Sequence, residues 1–198
     1  MATFDIEEIE QAFRHFWHTG MIREDWNAWA DLFTEDVVYY ERVLGTMHGR
    51  ETVRNWIVPL MEQYGEVYGV YDWHAVDPSG RVVFRMINRR DHPSGEGTMD
   101  FPGVTVLQYA GSNQWSMEED YWAEKLGVQQ FQDYEAALKK HDPDHRNSAP
   151  ATIGATAPLS IARRSLFRVV RGSRGAIGRP GSSHARCRSA RARHDRPC

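Results

Sequence analysis

Cysteine is the scarcest residue of this chain, with only 2 among 198 residues. Both of them, Cys187 and Cys198, lie close to the C-terminus. Residues 1–145 therefore contain neither a disulfide nor a cysteine nucleophile or metal ligand. This cysteine usage fits a reducing compartment.

Long apolar runs and common cofactor motifs are also missing. No stretch approaches 18 consecutive apolar residues, and the start MATFDIEEIE has acids where a secretory signal has basic residues. We therefore expect a cytoplasmic protein that does not enter a membrane. The patterns GxGxxG, GxxxxGK[ST], HExxH and GxSxG do not occur, so we expect no nucleotide cofactor and no serine hydrolase of the usual kind. His15 and His18 lie one helical turn apart without a visible third ligand, so no metal site is predicted.

Charge and aromatic residues divide the chain in two. Residues 1–145 carry 12 basic and 26 acidic residues, a net charge of −14, whereas residues 146–198 carry 12 arginines and one aspartate, a net charge of +11. Of the 23 aromatic residues, 22 precede position 146. The division predicts one packed domain at 1–145 and a basic, disordered tail at 146–198. The tail has three interpretations: an arm for nucleic acid or an anionic membrane, a chain end without a packed role, or an out-of-frame reading of a GC-rich gene. Because nucleic-acid binding rests on the tail alone, it is not expected.

Helical patterns open and close the predicted domain. Asp5 followed by Glu8 is typical of a capping box, and the apolar spacing predicts a helix over residues 5–18. Asp25 is a good N-cap for a second, short helix with an aromatic face. A further amphipathic segment at residues 128–140 predicts an extra C-terminal helix, which would cover a pocket mouth or pack at a dimer interface.

Alternating β-like runs fill the middle of the chain. They occur at residues 70–77, 81–89, 104–109 and 115–122, and the turn residues between them favour antiparallel hairpins. Pro59 is expected to break the helix before them, and Pro102 to interrupt a strand. The order of elements predicts an α+β fold in which helices cover one face of a curved sheet.

Residues 31–57, DLFTEDVVYYERVLGTMHGRETVRNWI, restrict the fold further. A helix ends near Leu32, acidic turn residues follow, and the β-rich run 37–40 ends in the carboxylate Glu41 before a new helix opens at Arg50. This order resembles the entry segment of the nuclear-transport-factor-2-like superfamily, which includes SnoaL-like polyketide cyclases, ketosteroid isomerases and scytalone dehydratases. The resemblance implies a cone-shaped, strongly curved, mostly antiparallel sheet wrapped around the N-terminal helices, with a ligand pocket inside.

Glu41 is the first predicted catalytic residue. A carboxylate that ends an apolar strand can lie beside apolar surface, where its pKa rises into the range useful for an acid or a base. By resemblance, Glu41 occupies the place of the aspartate that shuttles a proton in ketosteroid isomerases. The oxyanion-binding tyrosine and aspartate of those enzymes fall on Phe13 and Val104, which cannot donate a hydrogen bond, so steroid isomerisation itself is not expected. The alternative is a solvated glutamate paired with Arg42 or Arg50.

His74 and Glu119 are the predicted partners of Glu41. Strand alternation places His74 on the same face as Asp72, and dehydratases and cyclases of the resembled superfamily use His and Asp together. Alternation also places Glu119 with apolar residues on an inward face, whereas Glu118 and Asp120 are expected to face solvent. SnoaL-like cyclases are similar in keeping an acid on a late strand as the base. For both His74 and Glu119, the alternative is the outer, solvated face of the sheet.

Aromatic side chains are the predicted ligand-binding residues of the pocket. They are Phe13, Trp29, Tyr39, Tyr40, Trp56, Trp73, Tyr109 and Tyr121. Asn88 is expected at a solvated strand end, with a contact to a ligand carbonyl as the alternative.

The resemblance implies a cofactor-independent isomerase, dehydratase or cyclase that acts on an apolar or aromatic, oxygenated small molecule and forms a homodimer. The alternative is a non-catalytic ligand-binding or dimerisation module of the same fold. The enzyme interpretation requires Glu41, His74 and Glu119 to converge within hydrogen-bond reach of one cavity.

Overall fold

A computed structural model describes residues 3–142 of the chain. A π-helical turn, His18–Ile22, continues the first helix. The regular elements are α1 (Ile6–Trp17), α2 (Trp26–Ala30), β1 (Phe33–Glu41), β2 (Gly45–His48), α3 (Arg50–Gln63), β3 (Tyr68–Asp77), β4 (Arg81–Asp91), β5 (Thr98–Gly111), β6 (Gln114–Trp122) and α4 (Glu124–His141). The tail predicted at 146–198 lies outside the described residues.

The two N-terminal helices begin at the predicted caps. The Asp5 carboxylate accepts a hydrogen bond from the Glu7 backbone N–H at 2.7 Å, and the Asp25 carboxylate accepts one from the Ala28 N–H at 3.0 Å. Each cap satisfies a backbone donor that the first helical turn leaves free. The helices cover the sheet because their apolar faces point to it.

The described residues form a six-stranded sheet in the order β2-β1-β6-β5-β4-β3. Its pairings are antiparallel except for that of β1 with β6, which is parallel. The α+β prediction is confirmed: a curved, mostly antiparallel sheet packs against N-terminal helices, and α4 follows it. Among residues 3–142, no helix is long and apolar enough to cross a membrane.

A large aromatic core lies between the helices and the concave face of the sheet. Phe16 of α1 contacts Trp29 at a ring-centroid distance of 5.2 Å and Trp115 at 5.9 Å, and all three are at most 1% exposed. Such aromatic pairs, of which Phe16–Trp115 is edge-to-face, stabilise a core beyond the area that they bury. This core fills one end of the cone and leaves the other end open.

Two β-bulges decide which side chains point into the cone. On β6, the register with β5 shifts between the Gln108–Met117 and Tyr109–Trp115 pairs, which leaves one extra residue on β6. On β3, the register with β4 shifts between Tyr71 and Trp73. A bulge inverts the faces of the residues that follow it. The prediction of side-chain faces on β3 and β6 by strict alternation is therefore wrong.

Four element predictions need correction. The short strand β2 was not predicted, because its four residues have no alternating pattern. Helix α3 continues through Pro59 to Gln63, and β5 runs without interruption through Pro102. In both cases, the packing of neighbouring residues outweighs the single hydrogen bond that a proline removes. Helix α4 begins at Glu124, four residues before the predicted start.

Candidate functional site

The open end of the cone holds a cavity with two lobes. The α2 lobe, of about 150 Å³, is bordered by Trp26 and Trp29. The α4 lobe, of about 220 Å³, is bordered by Tyr64, the residue that follows α3, and by Phe131 of α4. The side chains shared by both lobes form the waist of the cavity: Trp56, Met61, Val67, Met86, Asn88, Thr105 and Asp120. The cavity is therefore mostly apolar, with polar groups concentrated at its centre.

The pairing of β1 with β6 brings the acids of the site together. In the parallel register, Tyr39 lies beside Glu118 and Glu41 lies beside Asp120. Neighbouring strands are about 4.8 Å apart, so these inward side chains are in direct contact. Asp120 borders both lobes, Glu118 borders the α2 lobe and Glu41 borders the α4 lobe.

Tyr39 connects the two acids of β6. Its hydroxyl donates a short hydrogen bond to Asp120 and lies 3.2 Å from Glu118 Oε1. Thr105 donates a second hydrogen bond to Asp120. Burial raises the pKa of Glu118 well above its usual range, and the nearby Asp120 charge raises it further. Burial also raises the pKa of Asp120, although the bonds from Thr105 and Tyr39 oppose this rise.

Glu41 is held more tightly than the other acids. One oxygen accepts a hydrogen bond from the Trp122 indole N–H, and the other accepts the backbone N–H groups of Val43, at 3.0 Å, and Leu44. Burial raises the pKa of Glu41, while the Trp122 and backbone bonds lower it. Because both oxygens are engaged, Glu41 also fixes the turn that leads from β1 to β2.

Comparison with known proteins places this fold and cavity in a family. The family model for the SnoaL-like domain matches residues 10–115. The chain belongs to the SnoaL-like family. A search of curated proteins found no match.

Solved structures share the fold of this SnoaL-like protein. A protein from Catenulispora acidiphila with a ketosteroid isomerase-like fold, in complex with trimethylamine, is 21% identical; the match covers 62% of this chain and 91% of that one, with a TM-score of 0.50. A candidate isomerase from Bacillus subtilis is 15% identical over 64% of this chain and 94% of that one, with a TM-score of 0.51. A candidate SnoaL-like polyketide cyclase from Shewanella denitrificans is 15% identical over 63% and 97%, with a TM-score of 0.51. At these identities, the likeness shows the fold alone.

The three predicted catalytic residues of the SnoaL-like protein do not converge. Glu41 borders the cavity, but His74 and Glu119 do not. The His74 ring packs on Phe13 of α1 at 4.5 Å, and its Nε2 lies 3.0 Å from a Glu10 oxygen. The bulge on β3 separates His74 from Asp72, which pairs with Arg85 instead. An enzyme interpretation that depends on this trio is therefore wrong.

The bulge on β6 reverses the predicted faces of its acids. After Trp115, which points inward, the extra residue places Glu118 and Asp120 on the cavity side and Glu119 on the outer face. Glu119 there pairs with Arg42 and accepts a hydrogen bond from the Tyr121 hydroxyl. The expected solvent exposure of Glu118 is wrong, since only 3% of it is exposed. Nothing in the sequence of β6 alone indicates the bulge, because the bulge is defined by the pairing of β6 with β5.

Half of the predicted ligand-binding aromatic residues border the cavity: Trp29, Tyr39, Trp56 and Tyr121. Tyr121 borders it only at the rim. It is the residue after Asp120, so its side chain leaves the opposite face of the strand, and it is 47% exposed. The other half lie elsewhere: Phe13 and Tyr109 in the core, Trp73 exposed, and Tyr40 against Arg42. Asn88, expected at a solvated strand end, is at the waist instead.

Metal binding has no geometric support within the described residues. Among residues 3–142, no group of three or more His, Cys, Asp or Glu side chains is arranged to hold a metal ion. The polar side chains that border the cavity include those of the acids, Tyr39, Thr105 and Asn88.

We expect Glu118→Gln to stabilise the protein at pH 8 but not at pH 4. A carboxyl with a raised pKa in the folded state stabilises folding below its unfolded pKa, and this contribution is lost as the pH rises through the folded pKa. Glutamine has nearly the same shape and does not titrate. Thermal unfolding of both proteins at the two pH values checks this, with Glu119→Gln on the outer face as the control. A lower melting temperature of Glu118→Gln at pH 8 would contradict the prediction.

Proposed function

We propose that this SnoaL-like protein catalyses cofactor-independent acid–base chemistry, namely isomerisation, dehydration or cyclisation, on an apolar or aromatic, oxygenated small molecule. The observation that carries the proposal is the waist of the cavity. There a carboxylate, Asp120, borders both apolar lobes, and hydrogen bonds from Tyr39 and Thr105 fix its position. Proton transfer by a positioned side chain contributes about 10²- to 10⁴-fold to a rate.

Asp120 is the proposed base. Burial raises its pKa toward neutral pH, which makes the carboxylate a better proton acceptor than an aspartate in water. In the reaction, a ligand C–H bond breaks, the proton moves to an Asp120 oxygen, and the electron pair moves toward the ligand oxygen. Glu41, beside Asp120 on β1, is the proposed second acid for returning a proton to the ligand.

Asn88 is the proposed donor to the ligand oxygen. Its side chain lies at the waist, and within residues 3–142 no hydrogen-bond partner engages its amide. The amide nitrogen lies over Gly103, where an added Cβ would come within 3.2 Å of it. Because Gly103 has no side chain, the space between Asn88 on β4 and the acids on β6 stays free for a ligand group. A donor placed there would stabilise charge that develops on a carbonyl oxygen.

Hydrogen–deuterium exchange into ligands tests the proposal. The protein is incubated in D₂O with a panel of cyclic and aryl ketones, and the loss of α-proton signals is followed by ¹H NMR. We expect exchange above the buffer rate for at least one ketone, and the same rate with Glu119→Gln, whose side chain is on the outer face. Binding without exchange across the panel would support the alternative, a non-catalytic ligand-binding module, and contradict the enzyme.

We further propose that two copies pair through the outer face of the sheet. Trp73 and Tyr121 lie on this face, 45% and 47% exposed, and large exposed aromatic residues are enriched at interfaces. The expected mass by light scattering is twice that of the 22.8 kDa chain, and Trp73→Glu should shift it to that of the monomer. A wild-type mass of 22.8 kDa would contradict the dimer.

A further inference from the structure

The charges around the cavity are all of one sign. Four acids line the two lobes: Glu24, Glu41, Glu118 and Asp120. Within the part of the chain that the structure describes, neither lobe is lined by lysine, arginine or histidine. A ligand with a carboxylate or phosphate would therefore enter a field that repels it, whereas a cation would be attracted.

Among residues 3–142, no lysine, arginine or histidine forms an ion pair with the acids of the α2 lobe, and none borders this lobe. Glu118 is 3% exposed, and its Oε2 has no hydrogen-bond partner among residues 3–142. The neighbouring groups that contact Glu118 and Asp120 are the neutral hydroxyls of Tyr39 and Thr105. Buried carboxylates are ordinarily paired with a cation, because burial without one costs free energy. Without a cation, such an acid is neutralised by a proton instead, so a cation that enters the lobe would stabilise the ionised form.

Two arginines next to residues of the cavity wall form ion pairs outside the cavity. Arg42 is on the outer face of the sheet and pairs with Glu119. Arg90 lies behind Phe131, 3.9 Å from the ring centroid, and its guanidinium is 3.3 Å from a Glu66 oxygen. Neither side chain borders the cavity. Within residues 3–142, no side chain therefore supplies a positive partner for Glu118.

The walls of the α2 lobe suit an organic cation. Trp26, Trp29, Tyr39, Trp56 and Tyr68 border it, and the Tyr39 and Trp56 rings are 5.3 Å apart. Aromatic faces attract ammonium groups, most strongly when the groups are removed from water, and aromatic cages bind quaternary ammonium ligands in this way. A cavity of about 150 Å³ accepts a group of the size of benzene.

We infer that the α2 lobe binds the cationic amine head group of a small organic ligand, with Glu118 and Asp120 as its counter-charges and the aromatic side chains as its walls. The apolar remainder of the ligand extends past the waist into the α4 lobe. This placement brings the atoms next to the head group alongside Asp120. Because binding a cation requires no turnover, the inference stands or falls separately from the proposed function.

Three probes of similar size and different charge test the inference. They are benzyltrimethylammonium, its neutral carbon analogue (2,2-dimethylpropyl)benzene, and the anion phenylacetate. Affinities for the full-length chain are measured at pH 8 and low ionic strength by quenching of tryptophan fluorescence. The dissociation constant of the cation should be at least about tenfold lower than that of the neutral analogue, and the anion should bind most weakly.

Single-charge variants identify the residues responsible. Glu118→Gln should reduce the preference for the cation by about tenfold, and Asp120→Asn should also reduce it. Glu119→Gln, which removes a carboxylate from the outer face one residue away, should keep the wild-type preference. Because Glu118→Gln is expected to be more stable than the wild type at pH 8, loss of binding in it would not reflect unfolding.

The inference is overturned if the neutral analogue or the anion binds the wild type as tightly as the cation does. It is equally overturned if no probe binds, or if Glu118→Gln keeps the full preference. The ketone exchange rate is measured on the same samples. Cation binding without exchange supports the inference and contradicts the proposed enzyme function. Exchange without a preference for the cation supports the proposed enzyme function and contradicts the inference.

Discussion

Replacing Asp120 by asparagine should lower the rate of ligand proton exchange by about 10²- to 10⁴-fold. The asparagine side chain has the same shape, and its carbonyl oxygen can still accept the hydrogen bond from one of the two hydroxyls, Tyr39 or Thr105. Its NH2 group replaces the other carboxylate oxygen and can donate to the second hydroxyl, which then acts as the acceptor. The asparagine side chain cannot accept a proton from carbon. The variant therefore removes the base while it preserves the waist of the cavity.

A split between rate and binding separates catalysis from structure. We expect the exchange rate at saturation to fall while the half-saturating concentration of a neutral ketone changes little, because the apolar lobes remain intact. Glu119→Gln, at the next position on β6 but on the outer face, should behave as the wild type. Equal exchange rates for the wild type and Asp120→Asn would show that Asp120 is not the base.

Replacing Trp115 by alanine should lower the free energy of unfolding by about 3–5 kcal/mol. Trp115 is fully buried and packs against Phe16 and Tyr109 at ring-centroid distances of 5.9 Å and 5.3 Å. Alanine would leave a cavity at the closed end of the cone, where helix α1 and the sheet meet. Chemical denaturation of the two proteins measures the loss.

Phenylalanine at the same position is the matched control. The indole N–H of Trp115 has no hydrogen-bond partner among the described residues, so Trp115→Phe removes a buried donor that contributes no bond. We expect this variant to lose clearly less stability than Trp115→Ala. A loss of under about 1 kcal/mol for Trp115→Ala would contradict the assignment of Trp115 to the core, since removal of a buried aromatic side chain costs several times more.

The fold could be predicted from the sequence because its signals are local. Asp5 and Asp25 begin the helices as their side chains require, and the opening of α3 at Arg50 follows directly from the pattern around it. The aromatic faces of α1 and α2 indicated a large apolar surface beneath them, and Phe16 and Trp29 now form part of that core. The family resemblance at residues 31–57 implied the curved, mostly antiparallel sheet around the N-terminal helices, but not the order of its strands.

The site could not be predicted because it depends on the register between strands. One extra residue on β6 inverts the faces of Glu118, Glu119 and Asp120, and a second bulge on β3 turns His74 toward helix α1. The alternation of side chains within one strand does not show where its pairing with the next strand contains a bulge. Glu41 was located because the alternation is regular over the last residues of β1, from Val37 to Glu41, after the register shift that follows Phe33.

The parallel pairing of β1 with β6 also determines when this site comes into being. Tyr39 and its two carboxylate neighbours are 79 and 81 residues apart in the chain, so their contact closes a long loop at a cost in chain entropy. During synthesis, β1 leaves the ribosome before β6. The edge of β1 that pairs with β6 therefore stays unpaired until β6 has been synthesised. The acid cluster therefore forms only when β6, the last strand, pairs with β1, the first strand. The ligand-binding site is complete only after this pairing.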